Sequence, residues 1–354
     1  MRALIVRPGT VGSLEVVSLP DPVPGPDELL VRGMAVGVCG TDREITGGDY
    51  GWAPEGSDRL VLGHESLGRV ESAPEGSGFE PGDVVVGVVR RPDPVPCGAC
   101  AHGEFDMCRN GRYTERGIKA RDGYGSELWT VETEYAVRLP SELGETGVLM
   151  EPTTVVAKAW EQIEAVGRRG WFEPHRVLIT GAGPIGLLGA MLGVQRNLDV
   201  HVLDVVSNGR KPDLVRALGA TYHSDGLAAA VAHSEPDIVI EATGVSSVVF
   251  DAIRSTASYG IVCLTGVSSA GRRVQVDGGA LNLEIMLEND VVIGSVNANL
   301  RHYQQAAQAL ARADREWLEG VITRRIPLEQ AAKAFDDDAD DVKVAITFDS
   351  RFTS

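Results

Sequence analysis

The stretch Arg176-Val177-Leu178-Ile179-Thr180-Gly181-Ala182-Gly183-Pro184-Ile185-Gly186 constrains this chain most, because it compresses a buried strand, a glycine turn and a helix start into one segment. The apolar run Val177 to Thr180 is the strand. Gly181 permits the tight turn, Gly183 lets phosphates approach the backbone with no Cβ in the way, and Gly186 lets the next helix pack close to the strand. The helix then runs Leu187 to Leu192 with its N-terminal amides and dipole aimed at an anion, and Pro184 and Ile185 within the turn are counted with the glycines as cofactor residues. A second apolar run, Val200-His201-Val202-Leu203, ends in Asp204, 18 residues past Gly186, where an acidic residue meets the adenosine ribose hydroxyls of a dinucleotide. Glycines at a strand-helix junction can serve packing alone. The flanking strand, helix and acidic residue point to a dinucleotide site.

The 354 residues, 43% of them apolar, suffice for two domains with separate cores. A formal charge of -17 argues against nucleic acid or an anionic membrane surface as a partner. The first residues, Met1 to Pro8, read as a short strand, and no run of 18 apolar residues occurs, so a cytoplasmic location is expected. Three of the five cysteines fall between Cys97 and Cys108, which reads better as a metal cluster than as a disulfide framework.

From Met1 to about Val137, short β-like runs are broken by Pro and Gly: Glu28 to Arg32, Ser66 to Val70, and Val84 to Val89. That texture predicts an irregular β domain. From Glu151 onward, longer helical segments alternate with apolar strands at Val177–Thr180, Val200–Leu203, Asp237–Ala242, Ile261–Leu264 and Val291–Ile293. This alternation predicts a doubly wound parallel sheet, giving an α/β fold overall. Leu300, Tyr303, Ala307, Leu310 and Ala311 recur at helical spacing and are expected to be core. Val344 to Phe348 reads as a last strand returning to the first domain. The acidic run from Asp336 to Asp341 reads as a solvated loop.

A mixed set of metal ligands is spread over the first domain and its junction with the second. Cys39 stands in Val38-Cys39-Gly40-Thr41-Asp42, His64 follows Val61-Leu62-Gly63, and Glu151 sits in Leu149-Met150-Glu151-Pro152. One soft and two harder ligands suit a catalytic zinc with one position left open. Glu65, beside His64, is a further candidate ligand. The bland alternative is a buried thiol, a hydrogen-bonded core histidine and two surface carboxylates.

Together with the glycine turn, these motifs resemble the zinc-dependent medium-chain alcohol dehydrogenase superfamily. The matching pieces are Cys39-Gly40-Thr41-Asp42, Gly63-His64-Glu65 with Gly68 and Val70, Pro81-Gly82-Asp83-Val84-Val85, and Gly181 to Gly186. Within it the chain looks most like the glucose 1-dehydrogenase branch, through Tyr113-Thr114-Glu115-Arg116-Gly117-Ile118, Glu151-Pro152 with Lys158, Gly294-Ser295-Val296-Asn297-Ala298 and Phe335-Asp336-Asp337-Asp338. The resemblance implies a GroES-like catalytic domain over 1–150, a Rossmann domain over 151–297 and a C-terminal segment, 298–354, returning to the catalytic domain. It implies a homo-oligomer, dimer or tetramer.

It also implies oxidation of an aldose such as glucose at its anomeric carbon, yielding a lactone. Thr41, Glu65 and Glu44 are the candidate catalytic residues. Thr41 would take the hydroxyl proton, and Glu44 occupies the place of a relay histidine in some relatives. Glu115 and Asn297, with Thr41 and Glu151, are the expected substrate contacts. Thr243, Asn297 and Lys343 join the glycine turn and Asp204 as cofactor residues. Val155 stands where several branch members hold an aspartate, so the sugar is not fixed by the motif.

Cys97, Cys100 and Cys108 match three of the four cysteines in the family's structural zinc lobe, with Pro94 at the first place. Asp93, His102 and Asp106 are near enough in sequence to supply a fourth ligand. For the cofactor, Asp204 followed by Val205 and Val206 predicts NAD over NADP, because a carboxylate would face the 2′-phosphate with like charge and no adjacent cation. Arg210 and Lys211 are expected at the start of the next helix. Two other readings remain: a dehydrogenase of another aldose, a polyol or a cyclitol, and a zinc-bearing NAD-binding protein without turnover.

Overall fold

The computed structural model describes residues 1–268 and 273–348. It divides into two compact units, Met1–Glu151 with Ala298–Ser354, and Pro152–Asn297.

The first unit is built on the eleven-residue strand Glu28–Val38. Its inward residues, Leu29, Val31, Val36 and Val38, are buried. It pairs antiparallel with Glu65–Ser72, with Leu128–Glu132 and with Lys343–Thr347. Val84–Gly87 and Ala136–Arg138 extend the sheet on one side, and Ile322–Pro327 on the other. Two small sheets flank it, one of Glu15–Ser18, Arg2–Val6 and Leu60–Val61, the other of Arg90–Arg91, Thr114–Arg116 and Ala120–Arg121. The main core joins Leu4, Val36, Ile45 and Leu62 to Leu328, Val344 and Ile346 from the far end of the sequence.

The second unit is a six-stranded parallel sheet in the order Thr221–His223, Asp199–Leu203, Arg176–Thr180, Ile238–Glu241, Ile261–Leu264, Val291–Gly294. Its central strands are near-continuous apolar runs because both faces are covered. Leu178, Val239 and Val262 pack with Ala230, Ala252 and Ile253 from the connecting helices. Chain order reverses between Arg176–Thr180 and Ile238–Glu241, and the crevice beyond the carboxyl ends of such strands is where ligands bind.

Local readings needed adjustment. The run Val84 to Val89 is a strand only to Gly87. The helix Leu300–Arg312 buries His302, Tyr303, Ala306, Ala309 and Leu310, whereas Ala311 is exposed. At its start His302 Nδ1 accepts from the Asn299 backbone N–H at 3.1 Å, closing a capping box. In the acidic run, Asp336 to Asp340 are exposed, but half-buried Asp341 receives Arg324 Nε on both oxygens at 2.8 and 2.9 Å. Among the described residues, no helix is long and apolar enough to cross a membrane.

Candidate active site

In the first unit, Cys39 caps the helix Gly40–Thr46. Its Sγ accepts from the Thr41 backbone N–H at 3.3 Å, and its own N–H donates to Asp42 Oδ2 at 3.0 Å. The opposite oxygen of Asp42 lies 3.3 Å from His64 Nδ1, leaving His64 Nε2 at 3.0 Å from the Cys39 sulfur. Asp42 and His64 are both buried. Burial alone would lower the His64 pKa, but Cys39 and Asp42 outweigh it and hold it well above the ordinary value. Glu65 joins Cys39 and His64 within a radius suited to one metal ion. Half-buried Glu151 opens the helix Met150–Gly167, and its carboxyl is pushed up to about 7, by burial first and by nearby Glu65, against His64 and Lys343.

A thiol and an imidazole nitrogen converging on one point with the Glu65 carboxylate in range, and the Asp42 carboxylate behind the imidazole, fit a zinc ion. Asp42 is the residue that the sequence motif did not single out. Its signal is its place three residues after Cys39, where it closes a capping box. Thr41 is half-buried beside the sulfur, and Glu44 is exposed on the helix.

Two of the expected site residues are held by partners within the first unit. Lys343, expected at the cofactor, is buried, and its ammonium donates to both Glu65 oxygens at 2.6 Å and to the Val38 carbonyl at 3.1 Å. Its three protons are thereby used within the first unit. Glu115, expected as a substrate contact, is in the strand Thr114–Arg116 and only 4% exposed. Arg90 grips one of its oxygens through Nε at 3.1 Å and Nη2 at 2.9 Å, and stacks 3.6 Å over the Tyr113 ring. The Arg90 Nη1 donates to the Asp106 carbonyl at 2.8 Å.

The thiols of Cys97, Cys100 and Cys108 also converge. Backbone N–H groups of Cys100 and Arg109 pull the Cys97 thiol down to about 6. None of the three neighbours expected as a fourth ligand joins them. Asp93 is taken by Val95 N–H, Asn110 and Arg112, His102 Nδ1 meets the Gly98 carbonyl, and Asp106 receives Asn299 Nδ2.

In the second unit, Gly181 has φ +93°, and a Cβ on Gly186 would overlap the Gly181 carbonyl oxygen. A Cβ on Gly183 would meet no protein atom. Gly183 caps the helix Pro184–Val194 with no side-chain partner, so the first N–H groups of this helix face that open space. Asp204 Oδ2 accepts from Ala182 N–H at 2.7 Å, and Oδ1 from Val205 and Val206 N–H at 2.7 and 3.3 Å. Lys211 opens the next helix with Arg210, yet its Nζ lies 3.7 Å from Asp204, so a cation does stand beside this carboxylate. Thr243 is held by the buried Glu241 carboxylate through its N–H at 2.8 Å and its hydroxyl. Asn297 adopts a left-handed backbone at φ +62°.

Residues 25–141 match the alcohol dehydrogenase GroES-like domain, and residues 144–348 match the glucose dehydrogenase C-terminus. The chain is 38% identical to a glucose 1-dehydrogenase of Methanocella arvoryzae, covering 98% of this chain and 99% of that one. It is 39% identical to a glucose 1-dehydrogenase of Thermoproteus tenax, covering 98% and 99%. Among solved structures, Haloferax mediterranei glucose dehydrogenase in complex with NADP, zinc and gluconolactone aligns with a TM-score of 0.91 and 34% identity, covering 99% of this chain and all of that one. A two-unit fold, a Cys39-His64 metal set and a glycine-turn dinucleotide site thus occur in one chain with end-to-end similarity to these enzymes. The chain belongs to the glucose dehydrogenase branch of the zinc-dependent medium-chain alcohol dehydrogenases, and it is a zinc dehydrogenase that acts on CH–OH groups with a nicotinamide cofactor.

Proposed function

We infer that the chain oxidises glucose at its anomeric carbon to the lactone. The observation that carries this reading is the Asp42-His64-Cys39 arrangement, joined to the buried Glu115 carboxylate that Arg90 fixes. Cys39, His64 and Glu151 would hold the zinc, with Glu65 as the alternate ligand. When bound, zinc supplies a positive charge that stabilises a deprotonated substrate hydroxyl. The nicotinamide, when bound, supplies the hydride acceptor. Asp42 fixes the ring of His64, and Thr41 relays the hydroxyl proton, taking it at Oγ1 while giving its own proton on toward the nicotinamide ribose hydroxyls and water. Glu115 orients the ring hydroxyls. The N–H groups behind Gly183 receive the pyrophosphate.

For the cofactor, the expectation of NAD over NADP rested on an unattended carboxylate. Three backbone N–H groups already occupy Asp204, and Lys211 stands 3.7 Å away. Both features favour NADP: the acceptor positions for a ribose diol are partly taken, and an ammonium is at hand for a 2′-phosphate. We therefore propose that NADP is used at least as well as NAD. Lys211→Ala should lower kcat/KM for NADP about tenfold relative to NAD, and an unchanged ratio would remove Lys211 from cofactor choice.

A homo-oligomer is proposed on the open edge strand Val291–Gly294 and the neighbouring helix Gly278–Glu288, whose Leu283, Met286 and Leu287 are exposed. Sedimentation velocity tests it. Five free thiols accord with a cytoplasmic location.

A substrate screen decides the main reading. Glucose should be the best of a panel of aldoses, polyols and cyclitols, and Glu115→Ala should lower its kcat/KM roughly 10- to 200-fold. A polyol or cyclitol turned over faster than every aldose would overturn it.

A further inference from the structure

We propose that the first unit carries a second pyranose-binding subsite, formed by Tyr50 and Trp52, so that the enzyme takes reducing disaccharides as well as a single hexose. The proposal rests on the sugar-oxidation reading above and extends it.

Tyr50 and Trp52 are 39% and 49% exposed, in a chain with only five tryptophans and seven tyrosines. Their rings meet edge to face at 5.0 Å between centroids. They line a cavity of about 650 Å³ with Thr10, Asp49, Ser57 and Asp58. An apolar aromatic wall beside carboxylates and hydroxyls suits a ligand with one C–H face and a rim of hydroxyl donors. A pyranose has that form. Asp49 and Asp58 disfavour an anion, so a nucleotide or a sugar phosphate fits poorly. Arg7 Nε lies 3.7 Å from Asp58 and does not cancel both charges.

The aromatic pair is also fixed in place. Gly51, between the two rings, has φ +97°, and a Cβ there would press on the Ile45 side chain at 3.1 Å. Trp52 N–H donates to the Ile118 carbonyl at 2.9 Å, and Ala120 N–H donates to the Trp52 carbonyl at 2.9 Å. These bonds tie the loop to the turn that follows Glu115, whose own N–H donates to the Lys119 carbonyl at 2.9 Å. Burial raises the Tyr50 hydroxyl pKa, and so do the charges of Glu115 and Glu44 and the phenol of Tyr113, which puts Tyr50 within electrostatic reach of the residue assigned to sugar hydroxyls. The loop that carries the aromatic wall is therefore tied by its backbone to the segment that carries Glu115, which is the link the proposal draws between the two sugar sites. The chemistry is that of the single sugar: the reducing-end C1 gives its hydride to the nicotinamide, its hydroxyl proton leaves through Thr41 to water, and the glycosidic bond is untouched.

The test compares kcat/KM for cellobiose, maltose and glucose in the unmodified enzyme and in Trp52→Ala and Trp52→Phe. The unmodified enzyme should oxidise at least one disaccharide. Trp52→Ala should lower the disaccharide-to-glucose ratio at least tenfold, and Trp52→Phe should recover most of it. Turnover of glucose with no turnover of either disaccharide would overturn the proposal, as would a ratio that Trp52→Ala leaves unchanged. If glucose itself is not oxidised, methyl β-cellobioside, which has no free C1 hydroxyl, still probes the subsite. Saturable quenching of tryptophan fluorescence that disappears in Trp52→Phe supports it, and no quenching overturns it.

Discussion

The Asp42 carboxylate lies 3.3 Å from Nδ1 of His64, with both side chains out of water. A carboxylate behind a ligating imidazole fixes ring orientation and raises ligand basicity. Asp42→Asn should therefore lower zinc affinity by roughly 10- to 100-fold. Cys39→Ala and His64→Ala should abolish turnover while cofactor binding stays near normal, since the glycine turn belongs to the other unit. Elemental analysis beside a steady-state assay and cofactor fluorescence checks all three. Full activity in zinc-stripped protein would sink the assignment.

Lys343 and Glu65 form an ion pair at 2.6 Å with side chains 1% and 2% exposed. Removing one partner leaves a buried charge without compensation, which costs about 3–5 kcal/mol. Lys343→Met should lower stability by that amount in urea unfolding. Adding Glu65→Gln should restore much of the loss. Equal losses in the single and double variants would show that packing, and not charge, sets the effect.

Gly186→Ala forces a methyl group onto the Gly181 carbonyl oxygen. Overpacking of this kind costs about 1–3 kcal/mol, and here it also displaces the turn that faces the phosphates. Cofactor affinity should fall with the melting temperature. A variant of unchanged stability with normal cofactor titration would contradict the tight strand-helix contact.

Glu132 accepts from Arg91 Nη2 at 2.6 Å and Nε at 3.1 Å, and also from Arg121. Burial pushes its carboxyl up, but the arginines outweigh burial and hold it at about 2, against an ordinary 4.5. A depressed folded pKa means that the pair stabilises fully above pH 4.5 and is lost as the pH falls toward 2. Glu132→Gln should be less stable than the unmodified chain at pH 6, and the gap should close with acidification. A gap that stays constant from pH 6 to pH 3 would rule out this linkage.

What could be read in the sequence followed from local rules. Gly181 to Gly186 announces itself because each glycine answers a steric demand met within six residues. The central parallel strands were legible because burial on both faces makes them continuous apolar runs. Thr221–His223 escaped notice, being three residues long with a polar tip on each side. Arg90 with Glu115 and Lys343 with Glu65 were illegible for a different reason. Charged side chains carry no periodic signal, and their partners stand 25 and 278 positions away. Lys211 was placed on its helix from sequence, but its reach back to Asp204 depends on where the strand and helix axes meet.

The strand Glu28–Val38, which Cys39 follows directly, takes one of its neighbours from much later in the sequence, with Val38 opposite Val344. On the ribosome, about 300 residues must be added between the two, which at 5–20 residues per second is a wait of about 15–60 s. The second unit, Pro152–Asn297, is one uninterrupted stretch and completes well within that time. The edge that leads into the zinc thiolate therefore stays unpaired on that side until Val344 has been made, and of the two units the catalytic one closes later.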